Sequence, residues 1–164
     1  MAMSCLQRVG VIAFLMALPA AAAAARADTQ ELEQRGAYLV QITGCAGCHS
    51  PRDSEGEIIA DKRLTGGDRA LPVTDIGRFY PPNITPDEET GIGDWSAEDI
   101  VKALKSGETP LGRVLLPAMP WRTQFKDLTQ DDALAIATYL KSLPPVRHRT
   151  PAPLAPLKGS APQP

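Results

Sequence analysis

Cysteine, histidine and methionine are scarce in this sequence, and aromatic residues are few. Of 164 residues, three are cysteine, two histidine and four methionine, and aromatics make up 5%. Each shortage excludes something. A structural zinc site takes four ligands, usually as two pairs, and beyond Cys45, Cys48 and His49 the chain after its leader offers only His148. Large side chains are too few to dominate a core. After Asp28 no run approaches the roughly 20 apolar residues that cross a membrane. A net charge of −2 gives no basic excess to suit nucleic acid or anionic lipid.

What is present begins with a leader. Arg8 precedes the apolar run VIAFLMALPAAAAAA, which ends at Ala25-Arg26-Ala27. A basic start, an apolar middle and a small-x-small end describe a cleaved secretory signal over residues 1–27. An uncleaved anchor is the competing reading; Pro19 inside the run and the weakly hydrophobic alanines favour cleavage. Cys5 lies before the apolar run and leaves with the leader. Cleavage leaves 137 residues, one domain's worth of chain, with 15 basic against 19 acidic side chains and a net charge of −4.

The exported part reads as mostly helical, with one long irregular middle. A first helix is expected over 30–43, with Leu32, Tyr38, Leu39 and Ile42 as its apolar side. Residues 50–94 carry glycine and proline too closely spaced for long helices, with a short β-hairpin expected in the 66–82 region, around RALPV and GRFY. Ser96, with Asp99 three residues on, caps a second helix that Gly107 stops. Thr129 with Asp132 opens a third, which Pro144-Pro145 ends. Residues 28–143 form the domain. Residues 144–164 hold seven prolines and no acid, and composition predicts an extended, largely disordered tail. It is either a passive terminus or a basic arm that touches a partner.

The chemistry lies in CAGCH, residues 45–49. A redox CxxC belongs at a helix N-terminus near a βαβ pattern, and this motif is expected to end the first helix and enter a glycine- and proline-rich loop. A plain disulfide leaves His49 without a role. Cys-x-x-Cys-His is the spacing of covalent haem attachment. Thioether bonds from Cys45 and Cys48 would fix a porphyrin to the backbone, with His49 on the iron. The haem would then supply the core that the composition lacks.

A sixth ligand follows by elimination. Met1, Met3 and Met16 leave with the leader, so Met119 is the remaining methionine. It sits in LLPAMPW, stiffened by Pro117 and Pro120. Methionine is often malleable core filler, but a proline-pinned loop is a poor place for one, and a thioether suits haem iron. His148 is the rival and would require the tail to fold back over the haem.

At this point the chain resembles class I (mono-haem) cytochromes c. YPPNITPDEETGIGDWSAEDIVKAL, PAMPW and YLKSLPPV are similar to one module of the cytochrome c subunits of membrane-bound bacterial alcohol, gluconate and related dehydrogenases. The resemblance covers roughly residues 32–145. It implies a small, mainly α fold, three principal helices and long loops around one covalent haem c. Together with local chemistry it points to Tyr80, Asn83, Trp95, Arg78 and Trp121 as haem wall or propionate contacts. Those subunits typically carry three modules and a membrane-binding segment, whereas this sequence has one module and a proline-rich tail.

With His49 and Met119 on the iron there is no open position, so the expected function is one-electron transfer rather than catalysis. The expected place is the bacterial periplasm, within a respiratory chain. A periplasmic or membrane-bound dehydrogenase is the expected donor, and a terminal oxidase or another cytochrome the acceptor. No nucleic acid partner and no membrane span in the mature chain are expected. A haem protein that binds or senses a small ligand through a labile sixth position is the alternative. Peroxidase action is a third class, for which a single CxxCH is a poor fit.

Overall fold

The computed structural model describes residues 6–73 and 76–155, with side chains at residue 23 and from residue 25 onward. Residues 1–5 of the expected leader over 1–27 lie outside the described residues. Backbone alone is described for most of 6–24, as part of the first helix.

That helix, α1, runs Leu6–Ile42. It starts far upstream of the expected residue 30, because alanine is the strongest helix former and no glycine or proline stands between Ala20 and Arg35. Its buried stripe also differs from the expected one. Gly36, Leu39 and Val40 are buried with Leu32 packed beside them, whereas Tyr38 and Ile42 are 60% and 57% exposed. Residues 32, 36, 39 and 40 follow the helical repeat; residues 38 and 42 fall on the flank.

The stripe is set by its partner, α4, which spans Gln130–Ser142. Its inner face is Ala133, Ala135, Ile136, Ala137 and Leu140. Three of these are alanines, which lets the helices approach closely. At the crossing, a Cβ on Gly36 would collide with the Ala135 carbonyl oxygen and lie 2.6 Å from Tyr139 Cβ. Thr129 caps α4 by accepting the Asp132 amide at 3.0 Å.

Between them, α3 spans Ala97–Ser106 and packs Ile100, Val101, Ala103 and Leu104 inward. Ser96 and Asp99 form a reciprocal capping box, and Gly107 ends the helix with φ 74°. Both ends are as the sequence predicts. Lys141 of α4 donates to the Gly93 carbonyl at 2.6 Å, holding the loop before α3 against the last helix.

The expected hairpin is present. β1, Leu71–Val73, pairs antiparallel with β2, Gly77–Phe79, with Pro72 opposite Arg78. Among the described residues the fold is thus mainly helical with one two-stranded sheet. Beside α1, α3 and α4 it has a short helix, α2, spanning Cys45–His49.

The proline-rich segment departs from expectation. It is extended, as composition predicts, but through residue 155 it lies bound to the domain. Val146 and His148 hydrogen-bond to Asn83, Thr85, Thr90 and Thr65. Leu154 pairs with Arg78 through two backbone bonds of 2.8 Å. Composition reports only that the segment has no core of its own; the domain supplies buried polar partners that composition cannot show.

Candidate functional site

The CAGCH stretch forms its own turn of helix rather than the end of α1. Thr43 donates to the Leu39 carbonyl at 2.7 Å and closes α1. Gly44 then takes φ 75°, a left-handed step that glycine adopts without a steric penalty, and α2 starts at Cys45. Residues three apart share one side of a helix, so Cys45 and Cys48 face the same way. Cys45 is half-buried against the core and Cys48 is exposed, and both are free thiols. Burial pushes the Cys45 thiol pKa up, against a hydrogen-bonding contact of 3.4 Å with Thr43 Oγ1.

His49 turns inward and is 8% exposed. Its Nδ1 lies 2.8 Å from the carbonyl oxygen of Pro82. A carbonyl only accepts, so Nδ1 carries the proton and Nε2 keeps its lone pair. Burial lowers the pKa of the ring below the usual imidazole range, partly offset by the bond to Pro82. The result is a neutral, oriented imidazole.

A backing loop holds His49 from behind. Gly66 N–H donates to the His49 carbonyl at 2.9 Å, and Gly67 packs so closely on the Cys48 carbonyl that a Cβ would clash. Leu64, entering this loop, has φ 66° and is buried. Left-handed backbone costs a non-glycine residue about 1–2 kcal/mol. Leu64 is kept there by burial, by its amide bond to Ser50 Oγ at 3.0 Å and by Ile84 N–H at 3.0 Å on its carbonyl.

Met119 is half-buried against the same core cluster that Cys45 and Trp95 join. It lies in a tight turn: its amide donates to Leu116 and its carbonyl accepts from Trp121, at 3.0 and 2.8 Å. A π-helical turn, Trp121–Phe125, follows. From it Gln124 donates to the Thr43 carbonyl at 3.2 Å, tying the methionine loop to the residue two before Cys45.

The secondary candidates separate. Arg78 in β2 has a buried Nε with no hydrogen-bond partner, the feature an absent anion would explain. Tyr80 and Trp95 are half-buried, Trp95 against the core cluster. Asn83 has its polar atoms engaged within the protein. Its Nδ2 donates to Thr90 and Val146, and its Oδ1 accepts from the Thr85 amide and hydroxyl, so the amide is fully used. Trp121 also looks inward on structure: its Nε1–H donates to the Leu115 carbonyl at 3.3 Å, its ring covers Gly107, and Arg122 stacks 4.5 Å over it.

Three participants escaped the sequence. The Pro82 carbonyl and the Gly66 amide are backbone groups with no residue-type signal. His148 was visible, but as a rival iron ligand; its Nδ1 instead donates to the Thr65 carbonyl at 2.8 Å, on the backing loop of His49. A shallow hollow lined by Ala25, Arg26, Thr29, Gln30 and Glu33 lies on α1 and includes none of these residues. The donor set at the motif fits haem c: two free thiols on one helix side, an imidazole with Nε2 available, and an orphaned buried guanidinium nitrogen for a propionate.

A family model described as cytochrome c matches residues 33–144. A diheme cytochrome c-type protein of Cereibacter sphaeroides is 37% identical over 111 residues, covering 68% of this chain and 36% of the relative. The cytochrome c subunit of a quinone-type alcohol dehydrogenase from Gluconobacter oxydans is 35% identical over 141 residues, covering 85% of this chain and 27% of the relative. The cytochrome c subunit of gluconate 2-dehydrogenase from Pantoea cypripedii is 38% identical over 120 residues, covering 71% and 25%. The chain thus matches about a quarter to a third of the length of these relatives.

Proposed function

The chain belongs to the cytochrome c family, and from that premise we propose that it is a periplasmic one-electron carrier serving a dehydrogenase. Haem c, when bound, supplies a one-electron iron couple. The remaining work falls to the chain's own side chains. Cys45 and Cys48 would hold the group covalently, one per chain. His49 Nε2 and the Met119 thioether would hold its iron. Arg78, with Tyr80 beside the strand, would receive a propionate, and Trp95 would form part of the wall.

The buried, Nδ1-protonated His49 carries this reading. An imidazole held by a backbone carbonyl has its tautomer and plane set for a metal at Nε2. Burial of the ring also keeps it neutral, the form that ligates. A thioether as the second ligand would favour reduced iron and raise the potential relative to a second imidazole. Such a carrier suits electrons passing from a dehydrogenase towards a terminal oxidase or another cytochrome. The dehydrogenase subunits among the relatives support the donor class. The secretory pattern of residues 1–27 supports export.

Visible and far-red spectra test it, taken on the mature protein oxidised, reduced, and reduced under carbon monoxide. A c-type spectrum with a methionine–iron charge-transfer band, unmoved by carbon monoxide, is expected. Carbon monoxide binding with no such band would overturn the carrier in favour of a ligand-binding haem protein.

A further inference from the structure

We infer that the extended segment after α4 is a strap that positions the imidazole of His49, with Val146 and His148 as its positioning residues. The inference rests on the reading of His49 as an iron ligand and goes beyond it. Two backbone groups fix His49: the Pro82 carbonyl on its ring and the Gly66 amide on its own carbonyl. Neither lies in a helix or strand, so each is only as fixed as its loop. In both cases the adjacent residue is tied to the strap.

Next to Pro82, the Asn83 amide donates to the Val146 carbonyl at 2.8 Å, and the Val146 amide donates to Thr85 Oγ1 at 3.2 Å. Next to Gly66, the Thr65 carbonyl accepts the His148 Nδ1 proton at 2.8 Å. The His148 amide donates to Thr90 Oγ1 at 3.0 Å, and Thr90 Oγ1 also accepts from Asn83. Thr150 packs its methyl where a Gly66 side chain would be. Beyond it, Leu154 makes an isolated antiparallel bridge to Arg78. These bonds staple loops 58 to 83 residues away in sequence.

Burial makes the staples matter. Asn83, Thr85 and Thr65 are at most 2% exposed, and buried polar groups that lose a partner drive rearrangement. The strap's ion pair, Arg147 with Glu89, is 71% and 57% exposed and has little influence. A firm Nδ1–H bond strengthens donation from Nε2, which favours the oxidised metal. Loosening the strap therefore weakens that bond and raises the midpoint potential.

The test uses the haem-loaded mature protein and four variants: His148→Ala, His148→Asn, truncation after Pro145, and Arg147→Gln. Two quantities are read, solvent exchange of the His49 Nδ1 proton by NMR in the reduced state and the midpoint potential. His148→Ala and the truncation are expected to speed exchange by about tenfold, as for loss of one stabilising hydrogen bond, and to raise the potential. His148→Asn restores both, since its amide nitrogen can replace Nδ1 as donor to Thr65. Arg147→Gln changes neither. Wild-type exchange and potential in His148→Ala would overturn the inference, as would an equal shift in His148→Asn. Should the truncated chain fail to fold, the alanine and asparagine pair decides alone. Failure of the carrier reading shows separately, in the unmutated protein's spectrum.

Discussion

His49 donates its Nδ1 proton to the carbonyl oxygen of Pro82, 2.8 Å away and 33 residues further along the chain. That one bond settles the tautomer, the ring plane and the nitrogen left for a metal. The other proposed ligand, Met119, has no comparable restraint on its side chain: it is held by the turn around it. The two axial positions should therefore respond differently to substitution.

Met119→Ala should leave the haem attached through Cys45 and Cys48 but open the sixth position. The methionine–iron band is expected to vanish and carbon monoxide to bind the reduced protein. Met119→His should keep the position closed and lower the midpoint potential, since imidazole favours oxidised iron relative to a thioether. Spectroscopy and a redox titration check both.

Gly36→Ala places a methyl group against the Ala135 carbonyl and Tyr139 Cβ. Overpacking of this kind costs about 1–3 kcal/mol. Because the obstacle is backbone rather than a flexible side chain, the upper half of that range is expected. Urea unfolding of the holoprotein measures it, and no loss of stability would mean that α1 and α4 do not cross at Gly36.

Asn83→Ala removes an amide that satisfies four bonds at a position 2% exposed. Stranding the buried Thr85 amide should cost about 1–3 kcal/mol, while the Val146 carbonyl keeps the Thr85 hydroxyl at 3.3 Å. The spectrum of any folded fraction should stay c-type, because the amide of Asn83 bonds to protein groups and the thioether attachment does not depend on it. A lost absorption band in folded protein would restore the propionate role expected from sequence.

The Ser96–Asp99 box gives a pH-dependent term. Hydrogen bonds from the Ser96 side chain, then from its backbone, hold the Asp99 carboxyl below its usual pKa. A depressed folded pKa stabilises the fold above the unfolded value, about 3.9 for aspartate, and that contribution fades as pH falls through the folded value. Ser96→Ala should cost about 1 kcal/mol at neutral pH. Its stability should converge towards that of the parent under strong acid, as read from thermal unfolding across pH.

Helix ends were legible in the sequence where a local rule decides them. Ser96, Gly107 and Thr129 act through bonds to residues three or four positions away, and all three lie where their residue types predict. The hairpin likewise follows from short apolar runs around a turn. The buried face of α1 was not legible, because Tyr38 and Leu39 read alike until α4 is in place. Of the site, CAGCH and Met119 announce themselves by residue type. Asn83 and Trp121 are named for the haem by their chemistry, and the bonds they make within the protein, to Val146 and Leu115, go to backbone carbonyls that carry no signal in sequence. The strap was hidden for the same reason: its partners are carbonyls and hydroxyls scattered over residues 65–90.

The crossing of Gly36 with Ala135 joins the two ends of the domain, and the exposed turn at Asp53–Gly56 lies between them. A single proteolytic cut in that turn would divide the chain into a haem-bearing piece with α1 and α2 and a longer piece with α3, α4 and the strap. Neither piece could bury its apolar face alone, yet each carries the surface the other needs. The nicked protein is therefore expected to behave as a non-covalent complementation pair, with both fragments co-eluting on gel filtration until denaturant separates them.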